Sequence, residues 1–173
     1  MNVSPIRKGT DRRKEVQRFL EKIVVNAGIG RASQMPNFSE KILPQIKRDI
    51  ALLTGQEPEM RPAKKSIAGF KTREGQIIGI RVTLRRGRMV DFFERLVTIV
   101  LPRVRDFTGI VRTSIDEGGV LNIGFKDHVV FPEINPEQSP FLFSLGVAAV
   151  PRVKHRARAI EGYEQLGVPL KRK

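Results

Sequence analysis

The chain has 173 residues, 40% of them hydrophobic, enough to bury a core and unlike a disordered tail. Lys and Arg outnumber Asp and Glu by 32 to 18, a formal charge of +14; this calls for a polyanionic partner, nucleic acid before an anionic membrane surface. Cysteine is absent and histidine occurs twice, which excludes disulfides, thiolate zinc sites and a histidine-rich metal centre.

Residues 1–22 are basic, with Val16, Phe19 and Leu20 at near-helical spacing from about Asp11. The first ten residues are expected to be flexible until bound, and residues 1–20 to form a basic extension to a single domain over 21–173. A β-branched run at 23–25 leaves through Gly28 and Gly30, which reads as a strand followed by a glycine turn. Ile42, Leu43, Ile46, Ile50 and Leu53 then predict a helix over 39–54, with Ser39 as N-cap and Gly55 as the residue that ends it. Residues 55–76 carry Pro58, Pro62, Gly69 and Gly75 among Arg61, Lys64, Lys65, Lys71 and Arg73, too broken for one element. A basic projecting loop or loose hairpin is expected there.

The run "QIIGIRVTLR" alternates, with Ile78, Ile80, Val82 and Leu84 on one side and Gly79, Arg81, Thr83 and Arg85 on the other. A turn at Arg86 and Gly87 leads into a helix whose stripe is Met89, Phe92, Phe93, Leu96, Val97 and Val100, and which Pro102 should stop. Two strands joined by a turn at Asp116 to Gly119, a short strand at 129–131 and another strand within 141–150 follow. A last, very basic helix over 152–166 ends at Gly167 and Pro169, before a "KRK" tail.

These elements imply an α+β fold: a mainly antiparallel sheet with helices packed on one face and a polar, basic opposite face suited to RNA. The motifs carry little enzyme chemistry. "NAGIGRA" lacks the third glycine of a dinucleotide fingerprint, since Ser33 stands there, and reads as a tight turn. In "LPRVRDF" Asp106 either balances Arg103 and Arg105 locally or leaves them to phosphate or a protein partner. His128 and His155 read as surface histidines, and no acidic pair has acid/base or metal spacing. No catalytic residue, metal or cofactor is expected. No run of about 18 apolar residues and no signal-peptide core is visible, so a soluble intracellular protein without a membrane partner is expected.

The stretch "GQEPEMRPAKKSIAGFKTREGQIIGIRVTLRRGRMVDFFERLVTIVLPRVRDFTGI", preceded by "KIVVNAGIG" and followed by "FPEI", resembles the universal large-subunit ribosomal protein "L five" family over about residues 21–134. The resemblance implies a structural, non-enzymatic protein of the cytoplasmic large ribosomal subunit whose sheet binds 5S rRNA in the central protuberance. It implies RNA contacts from Asn26, Gln56 and Thr83, small neutral donors and acceptors suited to ribose and phosphate oxygens. Arg81, Arg85 and Arg86 are candidate charge-bearing contacts beside them. The loop with Lys64, Lys65, Ser66, Phe70, Lys71 and Arg73 is similar to one that approaches P-site tRNA. Large-subunit rRNA, neighbouring proteins of the protuberance and a small-subunit head protein at an intersubunit bridge are the other implied partners. The alternative is a free-standing RNA chaperone or translational regulator using the same face. Both ends depart from the family pattern: the N-terminal stretch is basic, and Arg152, Lys154, Arg156 and Arg158 are expected at the start of the last helix, where positive charge opposes the macrodipole.

Overall fold

A computed structural model of the protein describes residues 9–171. The expectations for residues 1–8 and for the end of the basic tail lie outside that range. Helix α1 (Gly9–Phe19) runs without a loop into strand β1 (Leu20–Gly28), longer than the three residues expected. From Ile23 the strand alternates, burying Ile23, Val25 and Ala27 and turning Asn26 and Gly28 outward. Helix α2 (Leu43–Thr54) ends as expected at Gly55, whose φ of 65° suits a residue without a side chain. Its start is different: Ser39 is not an N-cap but lies inside a π-helical turn, Phe38–Ile42, entered through left-handed Asn37. Pro44 then occupies the first turn of α2, where its missing N–H costs nothing.

A short strand that alternation alone did not reveal, β2 (Glu59–Pro62), pairs antiparallel with β3 (Ile77–Leu84), placing Glu59 opposite Arg81. Helix α3 (Arg86–Arg95) continues through a π-helical turn (Leu96–Val100) and a final turn (Leu101–Arg103). Pro102 was expected to stop the helix and instead sits inside its last turn. The widened turn before it accommodates a ring that cannot donate an N–H and crowds the carbonyl four residues back. The chain becomes extended only at Val104.

The turn at 116–119 forms as expected, with the Gly119 N–H donating to Asp116 O at 3.0 Å and φ of 82° at Gly119. Only its second arm is a strand, β4 (Leu121–Phe125). The first arm is a 3-10 turn (Arg112–Ser114) joined by the single bridge Ile115–Leu121. The strand expected at 129–131 is likewise a 3-10 turn (His128–Val130), with Val129 and Val130 half-buried, Phe131 buried and no neighbouring strand paired to it. Strand β5 (Leu145–Pro151) takes up only the later part of the run expected over 141–150, and the last helix, α4 (Arg156–Gln165), begins four residues later than expected. Arg152 and Lys154 therefore lie in the connection before it and not on the helix start.

The five strands are hydrogen bonded in the order β2-β3-β1-β5-β4 as one open antiparallel sheet. By packing, the chain divides into two units. One comprises the described parts of Met1–Ile23 and Val147–Lys173 together with Leu84–Ile123. Its core holds Val16, Leu20, Ile23, Met89, Phe92, Phe93, Leu96, Val100 and Tyr163, so the stripe read from α3 is core as expected. Tyr163 donates its hydroxyl to Ala149 O at 2.8 Å, and its ring meets Phe19 edge-on at 5.0 Å. The absence of a side chain at Gly162 makes room for that ring: a Cβ there would lie 2.2 Å from Phe19.

The other unit comprises Val24–Thr83 and Gly124–Gly146. Ile46, Ile50 and Leu53 of α2 are buried in it, with a polar cluster beside them. Asp49, 1% exposed, accepts from Ser139 Oγ at 2.7 Å and Gln45 Nε2 at 3.3 Å, and lies 3.5 Å from His128 Nε2. His128 is thus not the expected surface histidine. It is fully buried, stacked on Phe143 with ring centroids 4.0 Å apart. The ring stacks on Phe143, but neither of its nitrogens makes a hydrogen bond among the described residues, and Asp49 at 3.5 Å is an electrostatic neighbour only.

Candidate nucleic-acid interface

The residues expected to meet RNA fall into three groups. In the unit built on Val24–Thr83, Asn26 projects from the outward side of β1 and is exposed. Its amide lies over Gly146 at the start of β5, where any Cβ would come within 2.6 Å of Asn26 Oδ1. A glycine at that position lets the asparagine lie flat across the neighbouring strand, and nothing in a single sequence links two residues so far apart. Gln56 follows the left-handed Gly55 and is half-buried. Its backbone N–H reaches Thr54 Oγ1 at 3.4 Å, and its side-chain amide approaches Thr83 O on β3 at 3.5 Å. The helix end and the sheet therefore bring Gln56 and Thr83 together, while Asn26 stands on the adjacent strand β1. Amides and a hydroxyl at a partly covered surface offer both donors and acceptors with no charge to desolvate.

The arginines are less uniform than the sequence suggested. Arg81 is held by Glu59 Oε2 at 3.3 Å, and the same carboxylate takes Arg61 at 3.1 Å. These exposed contacts contribute little to stability, but they fix where both guanidinium groups point. Arg85 and Arg86 lie in the other unit, at the β3–α3 junction, both exposed. Arg85 approaches Glu21 at 3.8 Å, and Arg86 is left-handed with φ of 53°, a conformation that costs a non-glycine residue about 1 kcal/mol.

The third group is the basic loop, which is braced as a hairpin. Ile67 and Thr72 exchange backbone hydrogen bonds at 2.9 and 3.2 Å, Ala63 and Gln76 close its base at 2.8 Å, and Ser66 Oγ accepts from the Glu74 N–H at 3.0 Å. Gln34 donates to Phe70 O at 2.8 Å from the side. At the tip Lys64, Lys65, Ser66, Phe70, Lys71 and Arg73 are all exposed, Phe70 by 73%. An apolar ring that far out, among four cations, is an exposed surface of the kind that marks contact sites.

Arg103, Arg105 and Asp106 are exposed, and among the described residues no ion pair joins them. His155 caps α4 with extended backbone and is exposed, as expected. The Ser139–Asp49–His128 cluster holds the residue types of a hydrolytic triad. However, the serine bonds to the aspartate and all three are buried, so no substrate reaches them. No cluster of metal-ligating residues exists among the described residues, and no helix among them is long and apolar enough to cross a membrane.

An open, five-stranded antiparallel sheet with four helices and exposed cations defines a basic α+β protein. Comparison with known proteins makes this specific. Residues 18–73 match the family model described as ribosomal protein L5, and residues 77–170 match that of the ribosomal L5P family C-terminus. The chain belongs to the ribosomal protein L5 family. It is 42% identical over 154 residues to the large ribosomal subunit protein uL5 of Chlorobaculum tepidum, covering 89% of this chain and 82% of that one. Its identity to the uL5 of Fusobacterium nucleatum is 43% over 153 residues, 88% and 81% of the two chains. For the uL5 of Desulforapulum autotrophicum the figures are 44% over 152 residues, 88% and 83%.

Proposed function

We propose that the protein is a structural constituent of the large ribosomal subunit in the cytoplasm, and that it binds 5S rRNA through Asn26, Gln56 and Thr83. Family membership supports the ribosomal role. The 5S rRNA reading is supported by one observation above others: exposed Asn26 lies over Gly146, whose missing side chain leaves room for the amide on the strand surface. Arg81, Arg85 and Arg86 supply charge at the margins, positioning the RNA without reading it. The braced loop with Phe70 at its tip reaches toward P-site tRNA, and other surfaces meet large-subunit rRNA, proteins of the central protuberance and the small-subunit head.

The test is binding of the purified protein to transcribed 5S rRNA and to an unrelated structured RNA of equal length, across a salt series. Asn26→Ala, Gln56→Ala, Thr83→Ala and Gly146→Ala should each lower affinity for 5S rRNA about 5- to 30-fold, the equivalent of about 1–2 kcal/mol, with the salt slope kept. Gly146→Ala acts by displacing Asn26, so combining it with Asn26→Ala should add nothing further. Equal binding of both RNAs by the wild type, or variants indistinguishable from it, would remove the 5S rRNA assignment.

A further inference from the structure

Helix α1 uses its cations in two ways. Arg13 pairs with Asp91 at 2.5 Å and with Glu94 at 3.6 Å, and Arg12 donates to Leu166 O at 3.1 Å, so both dock the helix on its own unit. Lys14 and Arg18 face elsewhere. With Gln17 and with Arg152, just after β5, they line an open surface depression of about 420 Å³. The Arg152 N–H donates to Phe19 O at 2.8 Å, which fastens the end of β5 to the end of α1 and holds Arg152 beside the helix. All four lining residues are exposed and belong to one unit, and none of them is acidic.

Lys14 and Arg18 stand four apart on the helix, so they share a face and repel each other. Among the described residues neither they nor Arg152 has a carboxylate within ion-pair distance, although Asp91, Glu94 and Glu164 neutralise other cations of the same unit. Two guanidinium groups, an ammonium and an amide around one open depression, with no acid in its lining, are donors suited to an oxyanion. No aromatic side chain lines the depression, so a nucleobase would find no stacking surface there. Lys14 and Gln17 also precede the part of the chain matched by the family model, which starts at residue 18.

We infer that the cleft of Lys14, Gln17, Arg18 and Arg152 is a binding site for a backbone phosphate of RNA, read without regard to sequence. The inference rests on the RNA-binding reading above but concerns different residues and a different observable. Arg18→Gln with Arg152→Gln is compared with Lys41→Gln with Lys126→Gln, exposed residues elsewhere whose loss removes the same charge. Binding of labelled transcribed 5S rRNA and of the unrelated RNA is followed by anisotropy across a salt series. A photo-crosslinking residue replacing Gln17 gives a second readout.

The cleft pair should weaken both RNAs alike and reduce the log–log salt slope by about 1 to 2, while the control pair changes it by much less. The residue at position 17 should crosslink to RNA. A cleft pair no different from the control pair, or no crosslink at position 17, overturns the assignment. So does a wild-type cleft that takes inorganic phosphate while its substitution leaves the RNA slope unchanged, because it is then only an anion pocket. A wild type with no preference for 5S rRNA but a reduced slope in the cleft pair would sink the 5S reading and keep the cleft. Binding of neither RNA would end both.

Discussion

His128 shows how a single residue escapes a reading by composition. In "KDHVVF" it sits among charged and β-branched residues and looks like a surface histidine, yet α2 and the segment ending at Phe143 close over it completely. Desolvation lowers its pKa below the ordinary 6.5, and Asp49, Asp127 and the Phe143 backbone offset this only in part. The fold therefore takes the neutral ring. Below about 6.5 the unfolded chain binds a proton that the folded chain refuses until the pH is lower still. Stability should accordingly be complete above that value and fall as pH drops toward the lowered one. His128→Phe keeps the stacking on Phe143 and has no proton to bind, so the decline in urea midpoint below pH 6.5 should flatten. A variant with the same decline as the wild type would place the titration elsewhere. Asn26 is the opposite case at this scale. The family motif pointed to the residue, but its contact with Gly146, 120 positions away, exists only in the folded chain.

Among the elements, those with a long apolar period were legible and those shaped by local exceptions were not. The stripe from Met89 to Val100 marked a helix, and burial agrees, because a period near 3.6 over three turns can be satisfied in only one way. The end of that helix was misjudged because a proline is a stop signal only if the backbone before it cannot widen, and here a π-helical turn absorbs it. The three apolar residues after Lys126 had strand composition without a partner, and pairing is a tertiary property. Glycines in helices divide the same way. Gly87 in α3 has open space around it, so Gly87→Ala should stabilise the protein by about 0.5–1 kcal/mol. At Gly162 in α4 the same change drives a methyl group into Phe19, whose ring is held edge-on to Tyr163. Overpacking of about 1–3 kcal/mol outweighs the helix propensity gained, so Gly162→Ala should lower the melting temperature and Gly87→Ala raise it. Shifts of the same sign in both would mean that the ring yields.

Across the whole molecule the dominant quantity is the formal charge of +14. Self-repulsion on that scale destabilises the free protein, because 32 cationic side chains face 18 acids and the excess of 14 has no acid to pair with one to one. The melting temperature of the isolated protein should therefore rise with added neutral salt from low ionic strength, as screening shortens the reach of the repulsion. It should rise further with an RNA that binds the folded form only. A melting temperature indifferent to salt would show that the charges are already balanced locally.

Composition, hydropathy period and motif order determined, by themselves, that this is a basic α+β protein of the ribosomal protein L5 family with no catalytic or metal-binding pattern. Those properties are sums or local repeats along the chain, and a sum does not depend on how the chain folds. Tertiary structure alone decided which cations remain available. Arg12, Arg13 and Arg81 are engaged by neighbours from other elements and Arg61 by Glu59 of its own strand, whereas Lys14, Arg18 and Arg152 line a space with no acid in it. Burial of His128 beside Asp49 was decided the same way. Charge and burial at a point depend on residues brought together from 22 to 154 positions apart, and Coulombic and desolvation energies fall off with distance in space, not with distance along the sequence.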